Sequence, residues 1–305
     1  MTRPRNRPRD GIMQRHHPIL PFLAAASGIF TFSLMDGLMK SASLAVGVYS
    51  AMLLRSAFGA MMMLPVWRLA GGRWPGRATL KVHALRAAVS AAMASSFFWG
   101  LVRLPIAEAI AISFIAPLIA LYLAAVMLGE RIQGKAILAS LLGFAGVLVI
   151  AIARIGTSTF TSEMGWGIVA VLFSAVLYAW NIILQRQQAQ VAGPREIAFF
   201  QTFFVASYLS LAAPWVLVWP EADIVQQLVG SSALTVVSLM FLSWAYARAE
   251  AQALLPIEYT AFVWGALVGW WWFDEAVTVA TVLGVILIIA ACWIAAPRRT
   301  EQTAL

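Results

Sequence analysis

Apolar positions along the chain gather into ten long blocks, at about 19–39, 47–67, 82–102, 106–128, 135–154, 166–186, 197–217, 231–247, 252–273 and 278–296. Mostly apolar runs of about 18 residues or more predict helices that span a bilayer. The links between blocks are mostly short. The stretch IGTSTFTSEMG, at 155–165, is polar and carries glycine. It divides the chain into a first unit of five spans, 19–154, and a second, 166–297. A leader at 1–18 and a tail at 298–305 flank them.

The two units repeat one pattern. Shifting the chain by 145 residues lays the stretch 97–132 on 242–277 without a gap, with Trp99 on Trp244, Arg103 on Arg248, Leu128 on Phe273 and Glu130 on Glu275. The same shift sets Asp36 on Asn181 and Lys40 on Gln185. Such self-similarity indicates duplication. A unit with an odd number of spans enters the membrane from the opposite side when copied, so the duplication is an inverted repeat. The predicted fold class is an all-α integral membrane protein, with ten transmembrane helices as two inverted five-helix repeats. In this geometry two halves related by an in-plane axis enclose a site near the midplane.

Composition agrees: 62% of the 305 residues are hydrophobic, 11% are charged, and the mean hydropathy is +0.83. A soluble domain of this size cannot hide that much apolar surface. The net charge of +8 is spread between the apolar blocks rather than gathered in one patch, so no nucleic-acid partner is expected. The leader MTRPRNRPRDGIMQRHHP holds five arginines and two histidines. The apolar stretch after it is too long for a signal peptide, so it reads as an uncleaved first span. The single cysteine, Cys292, excludes an intrachain disulfide.

Lysine and arginine gather on cytoplasmic loops. With the N-terminus inside, 17 of the 21 basic residues fall on cytoplasmic segments, Arg86 being counted with the link after the second span. Lys40, Arg103 and Arg154 fall near the outer face, and Arg55 lies within a span. The expectation is an inner-membrane, multi-pass protein with both termini cytoplasmic. Trp215, Trp219 and Trp270 to Trp272 end their spans on the outer side, as an interfacial belt would. The small-residue pairs Ala139/Gly143 and Gly265/Gly269 suit close helix packing.

Ionisable groups inside a span are costly and mark candidate sites. Arg55 lies about eight residues into the second span, where its planar fork suits a carboxylate or phosphate. The alternative is a structural ion pair with Asp36. Asp36 sits one turn before Lys40 on the same helix face, either as a surface pair or as a carboxylate that pairs with Arg55 when the site is empty. Glu258 follows Pro256, which leaves a helix carbonyl without its bond and free to face a cavity. Its neighbour Tyr259 is placed to stack or hydrogen-bond. Glu258 and Asp36 are the candidate proton-coupling residues, Glu258 as carrier and Asp36 as ion-pair partner. Asn181 stands where Asp36 stands in the first half. Trp99, Phe114, Trp244 and Phe262 are candidate pocket walls. Glu108 complements a helix N-terminus, and Glu130 and Glu275 are rim residues with an architectural role.

The doubled pattern resembles the drug/metabolite transporter superfamily, in its EamA type. The resemblance rests on Asp36 and Lys40 in the first span, Arg55 in the second, Pro117 in the fourth, and the ends LGER (128–131) and FDEA (273–276). It covers about residues 20–297 and implies ten helices, two EamA repeats, an inner-membrane location and carriage of small organic solutes. The elbow LPIEY at 255–259, with the order of Asp36, Lys40 and Arg55, is similar to the branch of S-adenosylmethionine and riboflavin carriers. Amino-acid exporters belong to the same superfamily.

No glycine-rich phosphate loop, metal-spaced histidine pair or nucleophile elbow is present in the sequence. The reading is a secondary transporter, not an enzyme, acting by alternating access on S-adenosylmethionine, riboflavin or an amino acid-like solute. No cofactor or metal is called for. The expected partners are the solute, the bilayer and a coupling proton, with the chain a monomer or homodimer. The alternatives are a non-transport membrane enzyme or scaffold, and a channel.

Overall fold

The computed structural model describes residues 19–104, 106–113, 115–155, 161–273 and 279–295. Phe114, Glu275, the leader and the tail lie outside them, as do the side chains of Glu108 and Cys292. All secondary structure among the described residues is helical.

The first element, α1, runs from Leu20 to Leu69. Fifty residues of helix would extend about 75 Å, more than twice a bilayer core. Gly47 breaks it, with φ 79° and ψ 153°. A side chain at that φ would be strained, so glycine lets one helix become two antiparallel arms. The later elements are α2 (Arg77–Leu101), α3 (Ile106–Ser113), α4 (Ile115–Leu128), α5 (Gly134–Ile155), α6 (Ser162–Val191), α7 (Pro194–Ser210), the short α8 (Ala213–Val216), α9 (Ala222–Arg248), α10 (Ala251–Glu258), α11 (Thr260–Phe273) and α12 (Val279–Ala295). The arms of α1 are two spans, α3 with α4 makes one, and α10 with α11 makes one. With α2, α5, α6, α7, α9 and α12 the total is ten. The side where α1 begins is termed the near side and its opposite the far side.

The duplication is exact in register. The helices α2 and α9 begin at 77 and 222, 145 residues apart. Helix contacts come in matched pairs as well. The packing of α2 on α6 is answered by α9 on α1, and that of α4 on α6 by α11 on α1. The last spans of the two halves, α5 and α12, pack on each other.

Small residues permit the close approaches. A Cβ on Gly265 would lie 2.5 Å from Ile110 Cδ1, and one on Gly143 would lie 2.4 Å from the Tyr259 ring. Trp215, Trp219, Trp270, Trp271 and Trp272 are all exposed at the far side, where indole rings suit a membrane interface.

The halves are also joined at the near side. Glu130, just after α4, accepts from the backbone N–H of Ala251 at 3.1 Å and of Gln252 at 3.2 Å. These donors open α10 and have no intrahelical partner. A first-half carboxylate therefore caps a second-half helix, and the charge complements the helix dipole.

Candidate functional site

The matched helices enclose a cavity of about 210 Å³ near mid-span, lined from both halves. Asp36, Arg55, Arg86, Asn181, Gln185 and Glu258 all line it. Of the sequence candidates, the structure therefore brings Asp36, Arg55, Asn181 and Glu258 together. Trp99, Trp244, Tyr259 and Phe262 are not among the lining residues.

Those aromatic residues have other neighbours. Trp99 lies near the far end of α2, with the Arg103 guanidinium 3.5 Å from its ring centre. Trp244 lies near the near-side end of α9, with Arg248 at 4.1 Å. In each pair the arginine also donates to the tryptophan carbonyl one turn back. The repeat thus reproduces one arginine-on-indole arrangement at opposite faces. Tyr259 is fully buried against Gly143.

Arg55 sits in the second arm of α1, 8% exposed. Its Nη1 is 3.2 Å from Met35 Sδ and its Nη2 3.3 Å from Met52 Sδ. Its Nε has no acceptor among the described residues. Thioether sulfur is a weak acceptor, so this guanidinium is poorly satisfied for a buried cation. The Phe98 ring centre lies 5.7 Å away. Asp36 lines the same cavity and supplies an electrostatic partner for Arg55. No salt bridge or hydrogen bond joins the two among the described residues.

Arg86 shows the opposite condition. It lies nine residues into α2, 2% exposed, and is not part of the solvated link with which its charge is counted from sequence. Its Nε reaches Asn181 Oδ1 at 3.3 Å and its Nη2 reaches Gln185 Oε1 at 2.7 Å. Its Nη1 donates to Gln188 Oε1. These three acceptors fall at positions 181, 185 and 188 of α6, one helical face by their spacing. Ser90 Oγ also donates to Asn181 Oδ1, at 2.8 Å.

The network continues toward the near side. The Gln188 amide donates to His83 Nδ1 at 2.6 Å, and His83 Nε2 donates to Glu196 Oε1 at 3.1 Å. These bonds fix the tautomer. The imidazole is fully buried and stacks on Phe200, ring centres 5.0 Å apart.

Glu258 ends α10 and is 4% exposed. Its Oε1 accepts from the Tyr246 hydroxyl at 2.9 Å, and its Oε2 accepts from the Tyr178 hydroxyl. The Thr260 hydroxyl donates to the Ile257 carbonyl at 2.7 Å, engaging a backbone acceptor at the junction of α10 and α11.

Arg86, Gln185, Tyr178 and Tyr246 were not among the candidate site residues read from sequence. A signal was available for part of the cluster, since Asn181, Gln185 and Gln188 form a polar stripe in an apolar block. None existed for the two tyrosines, which lie on other helices than Glu258, 80 and 12 residues before it.

The model of the EamA-like transporter family matches this chain twice, over residues 19–152 and 165–296. A pseudopaline exporter of Pseudomonas aeruginosa is 28% identical over 276 residues, covering 88% of this chain and 93% of that protein. A riboflavin transporter of Rhizobium johnstonii is 26% identical, covering 68% of each. An S-adenosylmethionine uptake transporter of Rickettsia prowazekii is 24% identical, covering 86% of this chain and 87% of that one. One solved crystal structure aligns with a TM-score of 0.72 at 23% identity, over 90% of this chain and 96% of its own, and carries the fold alone. Two family matches, together spanning nearly the whole chain, and one helical architecture built twice in fixed register make this protein a member of the EamA-like transporter family.

Proposed function

We propose that the protein moves a small organic metabolite across the inner membrane as a secondary transporter, by alternating access, with the near side facing the cytoplasm. The observation that carries this reading is the mid-span cavity. It lies between the inverted halves and holds two acids and two arginines in a largely apolar bundle. Groups so costly to bury suit a solute pathway. Asp36, Arg55, Asn181 and Glu258 are the proposed substrate contacts. Relatives named for pseudopaline, riboflavin and S-adenosylmethionine support a metabolite cargo over an enzymatic or scaffolding role. The proposed cargo is S-adenosylmethionine, riboflavin or an amino acid-like solute. The chain acts as a monomer or homodimer.

Glu258 is the proposed proton carrier. Two tyrosine hydroxyls hold its carboxylate at the cavity wall, so a change between two access states would change its environment and let protonation bias their populations.

The test is uptake of a panel of labelled metabolites into proteoliposomes containing the purified chain. Saturable flux of at least one small organic solute, absent from protein-free vesicles, is expected. A panel without flux in either direction would overturn the reading. Reporter fusions after residues 75, 160 and 305 should read inside, outside and inside. An outside signal at 305 would break the proposed orientation.

A further inference from the structure

Two acids and two arginines line the cavity, and the structure divides them into two kinds. Each of the three guanidinium nitrogens of Arg86 donates to a side-chain amide oxygen. Glu258 is held by two tyrosine hydroxyls. Both are served by neutral groups of the protein. Among the described residues the hydrogen-bond acceptors of Arg55 are only the sulfurs of Met35 and Met52, and its buried Nε has none. Asp36 faces the same space, with no hydrogen bond or salt bridge to it among the described residues. One cation and one anion are therefore left short of hydrogen-bond partners among the described residues, with only each other's charge through space. They lie on the two arms of α1, on either side of the Gly47 break. They are also close, because Arg55 Nη1 touches the side chain of Met35, the residue before Asp36.

We propose that Arg55 and Asp36 form a two-point clamp for an amino-carboxylate end of the substrate. The guanidinium takes the carboxylate and the Asp36 carboxylate takes the ammonium. The inference rests on the transport reading and adds the substrate class to it. A guanidinium presents parallel donors that fit a carboxylate bidentately. A spaced pair of opposite charges complements a zwitterion, whereas a phosphate dianion would meet the like charge of Asp36 and find Arg86 already occupied. The sulfurs of Met35 and Met52 and the ring of Phe98 border the guanidinium. The carbon skeleton behind the charged end is then apolar or thioether-like, matching soft, polarisable walls.

The experiment uses the full chain, purified in detergent, with three probes on one skeleton. L-methionine carries both charges, L-methioninamide lacks the carboxylate, and 4-(methylthio)butanoate lacks the amine. Binding is read by ligand-dependent thermal stabilisation and by competition. Wild type should prefer L-methionine over either analogue by about tenfold or more, since a site built for a polar group rejects the ligand lacking it. Arg55→Gln should erase the preference over the amide while keeping that over the deaminated acid. Asp36→Asn should do the reverse. Arg55→Lys, which keeps the charge and loses the fork, should fall between Arg55→Gln and wild type. Equal binding of all three probes by wild type, no binding of any, or unchanged discrimination in Arg55→Gln would overturn the clamp. Discriminating binding without flux would overturn transport and leave the clamp standing. Flux of a panel solute with unchanged discrimination in Arg55→Gln would do the opposite.

Discussion

The two buried arginines at the cavity occupy comparable positions and live in different chemistry. Arg86 is wrapped by Asn181, Gln185 and Gln188, all from the opposite half. Arg55 is flanked by two methionines and a phenylalanine ring from its own half. The first arrangement is complete without a solute and ties the halves together. The second is incomplete and open to one. Burial alone does not distinguish them. The acceptors do.

The largest effect that would test this contrast is on stability. Arg86→Met removes the donor from three buried amide oxygens, and each buried acceptor left unsatisfied costs about 1–3 kcal/mol. Arg55→Met strands no hydrogen-bonded acceptor and removes only a through-space partner of Asp36, so its cost should be the smaller of the two. Thermal unfolding of the two variants in the same detergent, followed by size-exclusion chromatography, would measure the gap. Equal losses would collapse the distinction between a structural and a binding arginine.

A second test concerns coupling. Glu258→Gln keeps shape and hydrogen-bonding capacity while removing the charge held by Tyr178 and Tyr246. Exchange of solute for solute should persist, and the response to an imposed pH gradient should weaken. Unchanged gradient-driven flux at matched protein level would remove Glu258 from the coupling scheme. The smallest expected effect is that of Glu130→Ala, which strips the cap from α10 and should cost about 1 kcal/mol. A loss as large as that of Arg86→Met would mean the cap, not the amide cluster, is the chief tie between the halves.

The ten spans and their register were legible because lipid forces backbone bonds inward and apolar side chains outward, leaving long apolar blocks in the sequence. Asp36, Arg55 and Glu258 stood out for the complementary reason, as charges inside those blocks. Arg86 was hidden by a boundary effect. It lies near the start of its block, where basic residues also gather as topogenic charges, and only tertiary contacts separate the roles. Tyr178 and Tyr246 were invisible because their meaning depends on the approach of α6, α9 and α10. Trp99 and Trp244 match across the repeat, yet what the match preserves is an arginine one turn later over each ring.

The cap on α10 gives the chain the character of a tethered pair of subunits. The first half supplies the carboxylate that closes a second-half helix. The second half supplies the amides that satisfy a first-half arginine. Each half alone would expose orphaned donors or acceptors at its inner surface, so neither is a complete folding unit. The chamber between them is like a dimer interface with its symmetry spent unevenly: Asp36 and its twin Asn181 both line it, as do Glu258 and its twin Ser113. Fusion into one chain lets each surface carry its own charges, which two identical subunits could not do.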